Sequence, residues 1–320
     1  MKIGLVCAYF GRFPSYFPLF LLSAKHNPNF DFYIYTDNQG PWDVPQNVSI
    51  IQCHFSDIKK KIQNLFDFSV NLETPYKLTD YKPLYGQLFQ ETLKSYSHWG
   101  YFDIDTVLGD LSLFASNEDL HTFDRIGSRG HLSIFKNSTK NIFAYKDFPI
   151  GKSFTYKEAF STNIPCHFDE MWGINNIYRN GNYTYKDEVE RNSVKYFDAS
   201  PKAYPLVSVD NHGFQDNPAN FTWKQGRLVE WGVSKNMEIS YLHLQKRKMT
   251  FFMENLGSES FLIDQSSIIQ QEVEWTSIED NLMMQHKNWP DGNIHHLCKY
   301  YLTTILSGEQ LVKLKLKVKK

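Results

Sequence analysis

Apolar and polar positions alternate along the first hundred residues in two rhythms. Residues 2–9 are a nearly continuous apolar run stopped by Phe10-Gly11, the pattern of a parallel strand buried on both faces. The next segment, 14–25, spaces Tyr16, Phe17, Phe20, Leu21 and Ala24 as one face of a helix. Residues 30–35 predict a second strand ending at Thr36-Asp37-Asn38, 48–53 a third, and 55–66 a Lys-rich helix. Residues 84–96 read as one long amphipathic segment and 99–102 as another buried strand. This succession with short connections predicts an α/β fold: a doubly wound, mainly parallel sheet flanked by helices, with right-handed crossovers. Sheets of that kind bind ligands beyond the carboxyl ends of their strands. Here those ends are 9–11, Asp37 and 103–105, which are expected to converge on one crevice.

Further on the pattern is mixed. Residues 125–136 read as a turn followed by a strand, and 194–199 and 238–244 as further strands, the last running into His243-Leu244-Gln245-Lys246-Arg247-Lys248. No repeat or low-complexity linker interrupts residues 1–252, which are expected to form one domain. Residues 253–320 are expected to be a C-terminal extension, helical and packed on the domain or close to a membrane. Its tail, 311–320, alternates Leu/Val with Lys, which suits a strand, a solvated end or a basic amphipathic anchor on anionic lipid.

Composition narrows the classes. A length of 320 residues fits one large α/β domain or two modest ones, and 42% hydrophobic with 22% charged residues is ordinary for a soluble globular protein. Aromatics reach 16%, a content compatible with sugar-binding surfaces although most rings must lie in the core. A net charge of −1 supplies no basic field, so nucleic acid is not an expected partner. The four cysteines, Cys7, Cys53, Cys166 and Cys298, form no C-x-x-C pair, so neither a disulfide framework nor a zinc site is expected from them. The first apolar run is too short for a signal peptide or a membrane span, and a cytoplasmic location is expected. Neither G-x-G-x-x-G nor G-x-x-x-x-G-K occurs after the first strand, which disfavours dinucleotide dehydrogenases and P-loop enzymes.

The chemistry concentrates in residues 99–111, Trp-Gly-Tyr-Phe-Asp-Ile-Asp-Thr-Val-Leu-Gly-Asp-Leu. Asp103 and Asp105 stand two positions apart, on the same side if the strand continues. Two acids there are costly unless a positive charge lies between them, and a hard divalent cation carrying a phosphorylated ligand would supply it. A solvated turn is the bland alternative. A neutral imidazole from His243 would complete a mixed oxygen and nitrogen set for Mn²⁺, and Lys246 and Arg247 would neutralise a diphosphate. The bland alternatives are a core histidine and a solvated basic run. Residues 76–86 are either a helix start capped by Thr79 or Asp80 with Pro83 in its first turn, or a ligand-contacting stretch. Asp169-Glu170, beside Phe168 and Trp172, is either an acceptor-side acid pair or a cap for a helix over 171–177.

On these motifs the chain resembles glycosyltransferases of the GT-A fold. More narrowly, it resembles a bacterial family of glycosyltransferases found in capsule, O-antigen and exopolysaccharide loci. Ala8-Tyr9-Phe10-Gly11, Lys77-Leu78-Thr79-Asp80-Tyr81-Lys82-Pro83, Trp99-Gly100-Tyr101-Phe102-Asp103-Ile104-Asp105, Arg129-Gly130-His131 and His243-Leu244-Gln245-Lys246-Arg247 carry the likeness, over roughly residues 1–250. The resemblance implies a GT-A-like sheet, a nucleotide-sugar donor (a UDP-hexose), and Mn²⁺ or Mg²⁺. It implies a glycan or lipid-linked acceptor in cell-surface polysaccharide synthesis, with peripheral contact at the inner membrane. It sets Asp103 toward the ribose or the metal, and Asp105 and His243 on the metal. It sets Tyr9, Phe10 and Asp37 around the nucleotide, and Lys77, Asp80 and Lys82 near the base or donor sugar. The chain departs from family-eight galactosyltransferases after His243, where Gln-Lys-Arg replaces a Gly-rich phosphate loop. In this reading Asp169 and Glu170 serve the acceptor. The alternatives are a metal-dependent phosphohydrolase and a catalytically silent sugar-nucleotide-binding protein of the same fold.

Overall fold

The computed structural model describes residues 1–149, 151–187, 196–200, 206, 208, 219–231, 236–253 and 259–270. In chain order the strands among them are β1 (Ile3–Ala8), β2 (Phe30–Thr36), β3 (Val48–Gln52), β4 (His98–Phe102), β5 (Thr106–Leu108), β6 (Arg125–Ile126), β7 (Leu132–Lys136) and β8 (Tyr185–Lys186). They continue as β9 (Tyr196–Asp198), β10 (Asn220–Lys224), β11 (Arg227–Trp231), β12 (Asn236–Ile239), β13 (Tyr241–His243), β14 (Thr250–Phe252), β15 (Ser260–Ile263) and β16 (Ser267–Gln270).

The main sheet runs β3-β2-β1-β4-β7-β6-β8. Its first four strands are parallel, β7 is antiparallel to both neighbours, and β8 is parallel to β6. The period-2 pleat of β1 explains how both faces are covered. Ile3, Leu5 and Cys7 share a core with Phe17, Phe20, Leu21 and Ala24 of helix α1 (Phe17–Lys25). Val6 shares the opposite core with Ile58 and Ile62 of helix α2 (Phe55–Gln63), together with Leu78 and Leu84. Phe20 is fully buried and stacks on Phe102 at 5.4 Å, and burial of one such ring contributes about 1.5–3 kcal/mol. Gly100 sits where β4 is squeezed between its neighbours: a Cβ there would run into the Ser133 carbonyl and lie 2.7 Å from Leu5. The expected doubly wound α/β sheet is therefore the architecture found. With β1, β2 and β4 parallel and adjacent, Tyr9, Asp37 and Asp103 leave the sheet at one edge.

Three local expectations differ from the structure. The single amphipathic segment over 84–96 is replaced by a 3₁₀ stretch, Pro75–Leu84, and two short helices, Tyr85–Leu88 and Gln90–Leu93. The break falls at Phe89, whose ring stacks on Tyr35 at 4.3 Å, so tertiary packing overrides the helical period. The strand does not continue through Asp105. β4 ends at Phe102, the chain bends over 103–105, and β5 leaves the main sheet for a small one ordered β5-β13-β9. The bend, closed by a Thr106 hydroxyl donating to the Asp103 carbonyl at 2.9 Å, replaces the pleat as the cause of the acids' proximity. Last, 259–270 is not helical. β15 and β16 join a six-stranded sheet, β12-β11-β10-β15-β16-β14, so that sheet runs across the expected boundary at 252/253. Phe261, Ile263 and Ile268 pack there with Phe221, Trp223 and Leu242, apolar residues at alternating positions that suit strands. The segment 271–320, with its alternating tail, lies outside the described residues, as do 194–195 of the expected strand 194–199. No helix among the described residues is long and apolar enough to cross a membrane.

Candidate active site

The small sheet assembles the site. β13 pairs antiparallel with β5 and parallel with β9, which sets His243 opposite Thr106 on one side and Asp198 on the other. This non-local pairing brings an imidazole to the 103–105 bend. His243 Nε2 lies 3.4 Å from Asp105 Oδ1 and 3.9 Å from Asp103 Oδ2, while its Nδ1 lies 2.8 Å from Asp198 Oδ1. One ligand atom from each of Asp103, Asp105 and His243 falls within 4.8 Å of the other two.

The backbone after His243 is shaped to serve the cluster. Gln245 (φ 47°) and Lys246 (φ 59°) both occupy the left-handed region, which costs a side-chain-bearing residue energy that the surrounding contacts must offset. The turn aims the Lys246 N–H at Asp105 Oδ2, and the Leu244 N–H donates to the Asp105 carbonyl at 2.9 Å. Gln245 donates its amide to Asp198 Oδ1 at 2.7 Å. Burial works against charge on Asp105, but His243 and the backbone N–H outweigh it and draw the carboxyl down to about 2. Burial also opposes a charged His243, yet Asp105 and Asp198 lift it to about 10. The pocket between these carboxylates thus favours positive charge. Two hard oxygens and one imidazole nitrogen suit Mn²⁺ or Mg²⁺, and Asp103, with 30% of its side chain exposed, leaves one side open to a ligand. The residues fit a divalent cation.

Lys82 extends the cluster. Its ammonium donates to Asp103 Oδ1 at 2.6 Å and to the Gly130 carbonyl at 2.8 Å, and lies 3.7 Å from Asp169 Oδ2. Gly130 also donates its N–H to Glu170 at 2.7 Å, and a Cβ on Gly130 would run into the Asp169 carboxylate. Burial and the neighbouring charges of Glu170 and Asp80 push the Asp169 carboxyl well up, although Lys82 pulls the other way. Burial also works against the Glu170 carboxylate, but Arg129 and the Gly130 N–H hold its pKa below the usual range. Neither acid caps a helix: the next helix starts at Ile174 behind Gly173. Asp169 is buried and Glu170 partly exposed.

The remaining residues named from the sequence lie as follows. Tyr9 is part-buried; burial, and then the charges of Asp105 and Asp103, raise its phenol. Phe10 is in the core against Phe55 at 5.5 Å. Asp37 is exposed and accepts the Gly11 N–H at 3.2 Å, closing the turn after β1. Lys77 and Asp80 are enclosed and bonded to each other at 2.6 Å. Lys77 also donates to the Ala159 and Ile164 carbonyls, and Asp80 accepts the N–H groups of Cys166 and Phe168. Lys246 holds its ammonium 4.1 Å over the exposed Tyr76 ring. Arg247 donates to the Ser200 and Gln265 carbonyls. The structure thus gathers Asp103, Asp105, His243, Lys82, Asp169 and Glu170, and keeps Lys77 and Asp80 inside the supporting wall.

Two residues of the cluster had no role assigned from the sequence. His131 ends the Arg129-Gly130-His131 motif, and its ring centre lies 4.3 Å from that of His243. Asp198 carried no signal, since a single acid in a short strand becomes visible only once β9 is paired with β13.

The whole defines an α/β protein with an acid–imidazole cluster at the carboxyl edge of its parallel strands. The chain belongs to a family of unknown function (DUF6625), whose model matches residues 5–272. Among curated proteins none matches the chain. Among solved structures, that of a galactosyltransferase, LgtC, in complex with donor and acceptor sugar analogs is similar over 62% of this chain and 76% of that chain. The identity is 12% and the TM-score 0.33, a level at which no residue role carries across.

Proposed function

We propose that the protein is a metal-dependent glycosyltransferase that moves a hexose from a nucleotide-diphosphate sugar, a UDP-sugar by preference, to a glycan or lipid-linked acceptor of cell-surface polysaccharide synthesis, at the cytoplasmic face of a membrane. One observation carries the reading: Asp103, Asp105 and His243 bring three ligand atoms within 4.8 Å of one another at the edge where a doubly wound sheet binds its ligand. The motif resemblance of residues 1–250 supports it independently. Asp103, Asp105 and His243 would hold Mn²⁺ or Mg²⁺, which when bound supplies Lewis-acid stabilisation of the leaving diphosphate. Lys82 fixes Asp103 and adds positive charge beside it. Lys246, lying on an exposed ring rather than on an acid, is free to swing to a phosphate. Tyr9, Phe10 and Asp37 shape the nucleotide side of the edge. Glu170, partly exposed, would orient the acceptor hydroxyl, and Asp169 would set the position of Lys82 behind it.

Incubation with a panel of nucleotide sugars and Mn²⁺ tests the reading. Release of nucleoside diphosphate is expected, inorganic phosphate would indicate a phosphohydrolase, and binding without turnover a silent module. Within that assay Asp169→Asn is expected to lower transfer about 10²-fold, the cost of displacing a positioned group, with a smaller loss of nucleotide affinity. Unchanged turnover in the variant would return Asp169 to a packing role.

A further inference from the structure

We propose that the chain carries a second, deeper metal site, formed by His131, Asp198 and His243, which takes a borderline ion of the Zn²⁺ type and, by claiming His243, shuts the shallower site. The three donors come from separate elements: His131 from the residue before β7, Asp198 from the end of β9 and His243 from the end of β13. All are buried, at 3%, 4% and 7% exposure, and one ligand atom from each falls within 4.8 Å of the others. The observation that points to a ligand is His131. Its Nδ1 has no hydrogen-bond partner, and its Nε2 makes only a long contact to Asp198 Oδ2 at 3.6 Å. The ring meets the stacked pair Tyr196 and Tyr241 edge-on, each centred 5.4 Å away. A buried imidazole is normally satisfied; this one presents an unused lone pair beside a carboxylate and a second imidazole.

The two sites differ in chemistry. Two nitrogens and one oxygen in a dry pocket suit Zn²⁺, whereas two carboxylates and one nitrogen at a partly open edge suit Mn²⁺ or Mg²⁺. The expectation against zinc from the sequence concerned cysteines, which take no part here. His243 serves one ion at a time. An ion in the shallow site takes Nε2 and leaves the ring proton on Nδ1, donated to Asp198. An ion in the deep site takes Nδ1 and leaves the proton on Nε2, donated toward Asp105. Which nitrogen is metallated is set by the hydrogen bond of the other.

The test titrates Mn²⁺ into the full chain by electron paramagnetic resonance, with and without Zn²⁺, and measures Zn²⁺ binding directly by calorimetry. Wild type, His131→Gln and His131→Phe are compared, each checked for its fold by near-ultraviolet circular dichroism. The phenylalanine variant keeps the aromatic cage if the glutamine one does not fold. Zn²⁺ is expected to raise the apparent Mn²⁺ dissociation constant of the wild type at least about tenfold. In the His131 variants Zn²⁺ affinity is expected to fall by a similar factor and Mn²⁺ affinity to stay within about twofold. Equal Zn²⁺ competition in those variants, or simultaneous binding of both ions, would overturn the proposal. Only the Mn²⁺ arm rests on the proposed glycosyltransferase reading. A chain that binds Zn²⁺ through His131 but no Mn²⁺ would keep the deep site and remove that reading's metal; the reverse result would do the opposite.

Discussion

Asp105→Asn is expected to lower metal-dependent turnover of the nucleotide sugar by about 10³-fold and to weaken Mn²⁺ binding at least tenfold. The substitution isolates charge from shape. An asparagine oxygen still accepts the Lys246 N–H that Asp105 accepts now, so the strained turn at Gln245-Lys246 keeps its anchor. What is lost is one of the two negative charges facing His243 Nε2. His243→Ala is expected to cost about 10²-fold, less than the aspartate change, because a water can replace a neutral nitrogen ligand more readily than a carboxylate. The two losses are expected to be non-additive, since both act through one ion. Turnover measured as nucleoside diphosphate release, and Mn²⁺ affinity by paramagnetic resonance, read the two effects separately. Full turnover in the presence of a chelator would sink the shared-ion account.

The carboxylate pair was legible from its spacing, but for a local reason that does not hold. Asp-x-Asp on a continuing strand predicts proximity through the pleat, whereas a bend after Phe102 produces it. β1 to β4 were readable because their apolar runs are uninterrupted, a property of strands buried on both faces. His243 was readable as chemistry, from the basic run that follows it, yet its meeting with Asp105 depends on β13 choosing β5 and β9 as partners. No short-range pattern encodes that choice. The same pairing hides Asp198. Residues 76–86 were legible as a helix start or a ligand-contacting stretch, but not as a 3₁₀ turn capped at Thr74 that buries Lys77 and Asp80. Lys82 turns to the acids at the edge, while Lys77 and Asp80, in the same 3₁₀ stretch, turn to the chain at 159–168.

That inward pair carries the largest stability effect. Asp80→Ala is expected to destabilise the fold by about 3–5 kcal/mol, the usual cost of leaving one partner of a buried ion pair without the other. The reason is local and countable. Asp80 and Lys77 have side chains 0% and 1% exposed, so water cannot replace the lost carboxylate beside the ammonium. The same carboxylate accepts the Cys166 and Phe168 N–H groups at 2.8 Å each, and both would be left unpaired. These bonds hold the segment that turns through His167, at φ 53°, into Asp169 and Glu170. Lys77→Met is expected to cost somewhat less: it leaves the Asp80 carboxylate without its ammonium and the Ala159 and Ile164 carbonyls without that donor, but the Cys166 and Phe168 N–H groups keep their acceptor and steady the charge that remains. The double variant is then expected to be more stable than the sum of the single losses implies, with a coupling of about 1–3 kcal/mol. Urea unfolding of the four proteins measures the cycle, and turnover at a temperature where all are folded measures the loop. A loss of turnover in Asp80→Ala that exceeds its unfolded fraction is expected, because the acids it steadies sit one and two residues beyond Phe168. Unfolding midpoints indistinguishable from wild type would show instead that the wall holds without its ion pair.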